Sequence, residues 1–211
     1  MDKYLETFET WDKVAKLYED KFMDLDLYND TYDVFCDLLS KKKSTVLEIG
    51  CGPGNITRYF LAKRPDLEIL GTDISPNMIE LAKRNCPTAK FELVDSRKIE
   101  TITSRFDGIV CGFCLPYLSE LDVEKFVVNC KNLLNKNGVI YLSFVEGEKE
   151  KSGYQQGSSG DRTYFYYHNL EHLTNLLDRN HFGNQNLIRK RYEKNDKTEE
   201  VHTIIIAENK R

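Results

Sequence analysis

The sequence contains no run of about 18 apolar residues, so no part of it reads as a membrane-spanning helix. Its first residues, Met1-Asp2-Lys3-Tyr4-Leu5-Glu6, lack an apolar signal core, which predicts a cytoplasmic rather than a secreted protein. Positive charge is not in excess: 30 Lys and Arg stand against 34 Asp and Glu, a formal net charge of −4. A large nucleic-acid footprint needs a basic face, and that balance argues against one. The short basic runs Lys41-Lys42-Lys43 and Arg189-Lys190-Arg191 read as solvated surface. A second C-x-x-C is also missing. Cys111-Gly112-Phe113-Cys114 stands alone, so no four-ligand zinc site is implied. A redox pair normally opens a helix, whereas this pair closes a strand. The other cysteines, Cys36, Cys51, Cys86 and Cys130, are scattered as expected for reduced thiols. No internal repeat and no Pro/Gly-rich linker divides the chain. Its 211 residues, 40% of them hydrophobic, read as one domain with a core of ordinary size.

What is present is organised around Val46-Leu47-Glu48-Ile49-Gly50-Cys51-Gly52-Pro53-Gly54-Asn55. An apolar run from Thr45 to Ile49 stops at three alternating glycines, and Ile56, Tyr59 and Phe60 then recur at helical spacing. The pattern predicts strand, tight turn and helix. Glycine suits a sharp bend that a ligand must approach closely, and the free N–H groups of the helix end point at whatever sits there.

Before this stretch, Phe8, Trp11, Ala15, Tyr18 and Phe22 form one helical stripe over residues 4–22, and Tyr28, Tyr32, Phe35 and Leu39 continue it in a second helix. The aromatic first stripe is placed to fold over a ligand site, with Trp11 and Tyr18 at its mouth. After the turn, strands are predicted at 67–72, 89–94, 106–112 and 139–145. Helices open at Ser75-Pro76 (Ser as N-cap, Pro at the first position) and at the capping box Ser119-x-x-Asp122. Repeated βα units imply a parallel sheet with helices on both faces and a ligand beyond the strands' carboxyl ends. Residues 146–163, polar and rich in Gly and Ser, read as a mobile loop of a length typical of active-site lids. Leu170, Leu173, Leu176 and Leu177 mark a last helix. Strands at 187–192 and 201–207, joined through a turn at Asn195-Asp196, complete the sheet as an antiparallel hairpin.

Asp73 lies 23 residues beyond Gly50, the place of an acid that accepts from ribose hydroxyls. Such a bond contributes roughly 1.5–3 kcal/mol. A nicotinamide fingerprint would put its third glycine at Asn55. Here that glycine is Gly54, and Glu48 precedes the turn, where a carboxylate suits an ammonium better than a pyrophosphate. Glu48-Ile-Gly50-Cys-Gly52-Pro-Gly54 resembles the first motif of class I S-adenosylmethionine-dependent methyltransferases. Asp73-Ile-Ser-Pro-Asn-Met78 resembles their second motif, Val94-Asp95-Ser96 the third and Phe106 to Tyr117 the fourth. Leu133-Leu134-x-x-x-Gly138 is similar to the approach to their fifth strand, and Leu173-x-x-Leu176-Leu177 with Phe182 to their last helix. The resemblance covers about residues 44–207. His181-Phe182-Gly183 departs from the usual Gly-Phe, which puts that local turn in doubt.

The resemblance implies an α/β fold: a doubly wound, mostly parallel seven-stranded sheet with a C-terminal antiparallel hairpin. It would be one domain, with residues 1–43 as a helical lid, 44–145 holding the cofactor, and 146–211 on the substrate side. The cofactor would be S-adenosylmethionine, and S-adenosylhomocysteine the product. The implied cofactor site is Tyr18, Glu48, Gly50, Cys51, Gly52, Gly54, Asn55, Asp73, Ile74, Met78, Asp95, Ser96, Cys111 and Phe113. In it the Gly50–Gly52 backbone passes under the methionine moiety and Glu48 holds the turn and the ammonium environment. Asp73 binds the ribose, Ile74 and Met78 pack on adenine, and Asp95 and Ser96 meet its edge. Cys111 offers its carbonyl to the ammonium, Phe113 lies nearby, and Tyr18 caps the methionine end.

The acceptor side carries no familiar chemistry. Cys114-Leu115-Pro116-Tyr117 keeps only two positions of the DNA amino-methyltransferase motif. The acidic ligands of catechol-type enzymes and the acidic cluster of polyamine synthases have no counterpart, so no metal is implied. A small-molecule acceptor, no nucleic acid, no membrane, and a monomer or homodimer are expected. His168, Tyr117 and Tyr167 are the candidates for a general base if one is needed. Asp161 and Arg162 are placed to contact a charged acceptor, and His172 and His202 read as structural. A silent cofactor-binding module stays open as an alternative, and a nicotinamide oxidoreductase is disfavoured by Asn55 and Glu48.

Overall fold

A computed structural model of the chain describes residues 2–157, 159–193 and 197–210. The helical stripe at the N-terminus divides into α1 (Lys3–Lys13) and α2 (Ala15–Phe22), because Val14 between them leaves helical geometry (φ −95°, ψ 11°). The break allows α1 to run along both α5 (Pro76–Asn85) and β7 (Arg162–Phe165). It is pinned there by Asp12, whose carboxylate accepts from Ser75 Oγ (2.7 Å) and Asn77 N (3.0 Å). α3 (Asn29–Leu38) leads into β1 (Thr45–Ile49). The chain then alternates through α4 (Asn55–Lys63), β2 (Glu68–Asp73), α5, β3 (Lys90–Leu93), β4 (Phe106–Cys111), α6 (Glu120–Leu133) and β5 (Leu134–Val145). The expected caps are present: Ser75 Oγ accepts from Met78 N (3.0 Å), with Pro76 in the first turn, and Ser119 Oγ accepts from Asp122 N (3.2 Å).

Seven strands form one sheet in the order β3-β2-β1-β4-β5-β9-β8. β1 lies parallel between β2 and β4, with Val46 opposite both Ile69 and Gly108. β9 (Glu199–Asn209) runs antiparallel between β5 and β8 (Phe182–Glu193), with Val145 opposite His202 and Tyr192 opposite Glu200. The sheet is therefore mostly parallel with an antiparallel hairpin at one edge, the expected architecture. The predicted turn at Asn195-Asp196 lies outside the described residues.

Alternation along each strand sends side chains into two cores. Val46, Val110, Tyr141, Ile204 and Ile206 pack under α3 and α4. Leu47, Ile49, Ile109, Leu142 and Ile205 pack under α6 and α7 (Leu170–Arg179). No helix among the described residues is long and apolar enough to cross a membrane.

The stretch 146–163 is more ordered than its composition predicts. It contains β6 (Gly153–Gln156) and the start of β7, which pair as a hairpin separate from the main sheet. It is anchored on α1. Thr10 Oγ1 donates to Arg162 O (2.9 Å), Thr7 Oγ1 accepts from Tyr164 N (2.9 Å), Lys13 pairs with Asp161 (2.8 Å), and Arg162 pairs with Glu6 (2.5 Å). Asp161 and Arg162 are therefore tied to α1.

At the departure noted in the last helix, His181 takes the left-handed φ of +60° that a glycine would favour. That conformation costs an L-residue roughly 1–2 kcal/mol, partly offset because glycine loses more freedom on folding. His181→Gly is expected to raise stability by about 0.5–1 kcal/mol, read as a higher denaturant midpoint at unchanged slope.

Candidate functional site

The apolar run of β1 ends in a turn that an ordinary residue would strain. Gly50, Gly52 and Gly54 all have positive φ (69°, 52° and 87°). A Cβ at Gly50 would also stand 2.9 Å from Cys114 Cβ. The turn is tied to β2 by main-chain bonds: Gly50 N and Cys51 N both donate to Thr72 O (2.8 and 2.9 Å). Asp73, at the end of β2, completes the tie. Its carboxylate accepts from Gly52 N through one oxygen and from Ser75 N through the other, each at 2.9 Å. Burial pushes the Asp73 carboxyl up, and these two donors oppose that. The glycine bend and the β2 carboxylate thus sit side by side at the carboxyl ends of the parallel strands, where α/β sheets bind ligands.

They open into a cavity of about 360 Å³, within the usual range for small-molecule sites. Of the expected cofactor residues, the structure brings Tyr18, Gly50, Gly52, Asn55, Asp73, Ile74, Met78, Ser96 and Phe113 into its wall. Tyr18 arches over the turn, its Cε1 3.6 Å from where a Gly52 Cβ would stand. Five of the expected residues lie outside the wall. Cys51 is buried beneath the turn among Ile79, Ala82, Cys86 and Phe91. Gly54 begins α4 and faces Ala82 and Cys86. Cys111 is buried in the core beneath α6, and its thiol and that of Cys114 are both free. The Asp95 carboxylate is engaged by Arg97 (Nε 3.0 Å, Nη2 2.6 Å), whose guanidinium stacks over the Tyr4 ring at 4.2 Å.

Glu48, the fifth, points from β1 toward α4. Thr57 Oγ1 donates to its Oε2, and its Oε1 is buried without a partner among the described residues. Burial pushes this carboxyl up to about 8.

Of the general-base candidates, Tyr117 lines the cavity, edge-on to Trp11 at 5.3 Å and to Phe165 at 5.9 Å. Tyr167 and His168 do not. The Tyr167 hydroxyl donates toward Glu200 Oε1 (3.4 Å), and the buried His168 holds its Nε2 2.8 Å from Leu115 O. Burial lowers the pKa of His168. Glu120, Glu124 and His172 come within mutual reach on the outer faces of α6 and α7, away from the cavity.

Glu200 and Tyr192 were not singled out from the sequence, and His202, expected to be structural, stands in the wall with them. Glu200 and His202, two apart on β9, face the cavity together with Tyr192 of β8 and Tyr28. His202 Nδ1 shares a hydrogen bond with Tyr28 OH (2.6 Å), and its Nε2 lies 3.5 Å from Glu200 Oε2. Strand alternation puts positions 200 and 202 on one face. Only the sheet order brings that face to the mouth of β4. Trp11, expected at the mouth of the site, also lines the cavity, and its Nε1 is buried without a partner among the described residues.

This topology and glycine turn define a Rossmann-like methyltransferase fold. Residues 46–138 match the family model described as "Methyltransferase domain", and the chain carries a class I S-adenosylmethionine-dependent methyltransferase domain. It is 31% identical over 111 residues to the malonyl-[acyl-carrier protein] O-methyltransferase of Acetivibrio thermocellus, covering 51% of this chain and 38% of that protein. It is 27% identical over 182 residues to the tRNA N(3)-methylcytidine methyltransferase of Schizosaccharomyces pombe, covering 76% and 68%. The chain spans 36% to 61% of the length of three further curated relatives. Among solved structures, the Burkholderia thailandensis 1,6-didemethyltoxoflavin-N1-methyltransferase superposes with a TM-score of 0.71 at 18% identity, over 99% of this chain and 88% of that one.

Glu48 generates a pH prediction. Folded, it keeps its proton up to about pH 8, while the unfolded chain releases it near the ordinary 4.5. The folded state therefore holds the extra proton between these values, and stability falls as pH rises through that window. Glu48→Gln is expected to remove this component. Its stability relative to the parent should increase from pH 5 to pH 8, measured by denaturant titration at both.

Proposed function

We propose that this protein transfers a methyl group from S-adenosylmethionine to a small-molecule acceptor and releases S-adenosylhomocysteine. The observation that carries this is the convergence of the Gly50–Gly54 bend and the Asp73 carboxylate on one cavity, joined by the Gly52 N–H. The residues present fit the cofactor. Three left-handed glycines keep side chains off the bend, a carboxylate stands where ribose hydroxyls need an acceptor, and Ile74 and Met78 offer apolar surface beside it. The unpartnered Trp11 Nε1 adds a donor.

When bound, the sulfonium supplies a methyl group already activated for in-line displacement. The chain's part is to hold donor and acceptor in line and to exclude water. Asp73 fixes the sugar, and the Gly50 and Gly52 backbone passes beneath the amino-acid end. Ser96 and Val94 close the edge at β3, while Asp95 acts from behind through Arg97. Glu48 supports the turn from beneath. Tyr18, Trp11 and Tyr117 wall off solvent. α1 and α2 act as a cover, latched to the β6–β7 hairpin through the Lys13–Asp161 and Glu6–Arg162 pairs.

That cover supports a small acceptor over a polynucleotide. A cavity of about 360 Å³ is of small-ligand size, and the net charge of −4 gives polyphosphate no attraction.

Calorimetric titration with S-adenosylhomocysteine is expected to show one site per chain. Asp73→Ala is expected to weaken it at least tenfold. Absence of binding by either S-adenosylhomocysteine or S-adenosylmethionine removes the proposal, and unchanged affinity in the variant removes Asp73 from the site.

A further inference from the structure

We propose that the acceptor is an amine, received between aromatic faces and the Glu200 carboxylate at the β8–β9 end of the cavity. This rests on the methyl-transfer reading above and names the acceptor class for the same site. Two ends of the cavity can be told apart by the sheet order. The glycine bend belongs to β1, and β9 lies three strands away across β4 and β5, about 14 Å at the usual strand spacing. The group formed by Glu200, His202 and Tyr192 is therefore remote from the residues that would hold the cofactor's sugar and amino-acid tail.

The chemistry of that end favours a protonated nitrogen. Tyr192 stacks on His202 with ring centroids 4.9 Å apart, Phe113 stands 4.8 Å from the same imidazole, and Tyr28 stands 5.1 Å from Phe113. Ring faces carry negative potential and attract cations, most strongly when water is excluded. Glu200 is largely buried, with its side chain 15% exposed. Its carboxylate meets the Tyr167 hydroxyl and His202. An ionised carboxylate presents about four acceptor positions, so a ligand N–H can join contacts already made. Among the described residues lining the cavity, the charged side chains are Asp73 and Glu200, with no Lys or Arg. An acceptor carboxylate or phosphate would meet like charge there.

The transfer balances without another reactant. The bound ammonium gives one N–H proton to the Glu200–His202 pair. The lone pair so freed forms the N–CH₃ bond as the C–S bond breaks, and the C–S electron pair stays on sulfur. The proton then passes to solvent.

The test uses three phenyl probes of similar size: benzylamine, benzyl alcohol and benzoate. Each is titrated calorimetrically into the full chain, with and without saturating S-adenosylhomocysteine. Benzylamine is expected to bind at least tenfold more tightly than the other two. Glu200→Gln should abolish that preference while S-adenosylhomocysteine affinity stays the same, and Tyr192→Leu should weaken benzylamine without a change of charge. A benzylamine affinity no better than that of benzyl alcohol or benzoate overturns the proposal, as does a preference that survives in Glu200→Gln. Failure of S-adenosylhomocysteine to bind would instead overturn the methyl-transfer reading, and the titrations without it would still decide the preference for an amine.

Discussion

The single hydrogen bond from Gly52 N to the Asp73 carboxylate joins the two strand ends on which the site depends. It exists because three conditions hold together. β1 and β2 are in register from Thr45–Glu68 to Ile49–Thr72, so their ends are level. The residue after Ile49 bends with positive φ, so that Gly50 N and Cys51 N turn onto Thr72 O and Gly52 N onto Asp73. The last residue of β2 is an acid whose described partners are the backbone N–H groups of Gly52, Ser75 and Ile74, with no cation among them. A carboxylate held by backbone donors keeps acceptor capacity on the side facing the cavity, where a lysine or arginine partner would fill that side. Asp95 shows the contrast. It also ends near a strand terminus, but a bidentate Arg97 occupies it, and it faces away from the wall.

The other half of the cavity is closed by parts of the chain far apart in sequence. Asp12 anchors α1 to the start of α5, and the β6–β7 hairpin is fastened to the opposite side of α1. Exposed ion pairs such as Lys13–Asp161 contribute little individually, on the order of 0–1 kcal/mol. The side chain–backbone bonds of Thr7 and Thr10 are better placed, because Thr7 is buried. α1 is thus held between α5 and the hairpin by several weak contacts acting in parallel rather than by one strong one.

Much of this was legible in the residues because local and global signals agree. The βα alternation, the Ser75-Pro76 and Ser119 caps and the glycine turn each describe a few adjacent residues, and each forms as its own chemistry dictates. What escaped was decided by partners distant in the chain. The break at Val14 answers to α5 and β7, and nothing in residues 4–22 marks it. The stretch 146–163 has the composition of a loop but gains order from Thr7 and Thr10. His202 reads as a structural histidine in a strand, yet it stands in the cavity wall. Its neighbours Tyr28, Phe113 and Tyr192 come from three other elements, so its place in the cavity wall follows only from the antiparallel insertion of β9 beside β5.

Phe113 links the two ends of the cavity. It follows β4 by two residues and holds a φ of +57°, an uncommon geometry for a bulky residue. Left-handed backbone of this kind costs on the order of 1–3 kcal/mol and persists where its surroundings impose it. Here Ser143 Oγ of β5 accepts from Phe113 N at 2.8 Å. The ring is thereby directed toward Tyr28 and His202, while the preceding residue, Gly112, remains in the wall beside Ile56. A residue with ordinary extended geometry at this point would continue the strand direction and leave the imidazole without that aromatic neighbour. The strain at the end of β4 is thus coupled to the pocket at the end of β9, which makes the intervening strand β5, through Ser143, part of the site although its hydroxyl is fully buried.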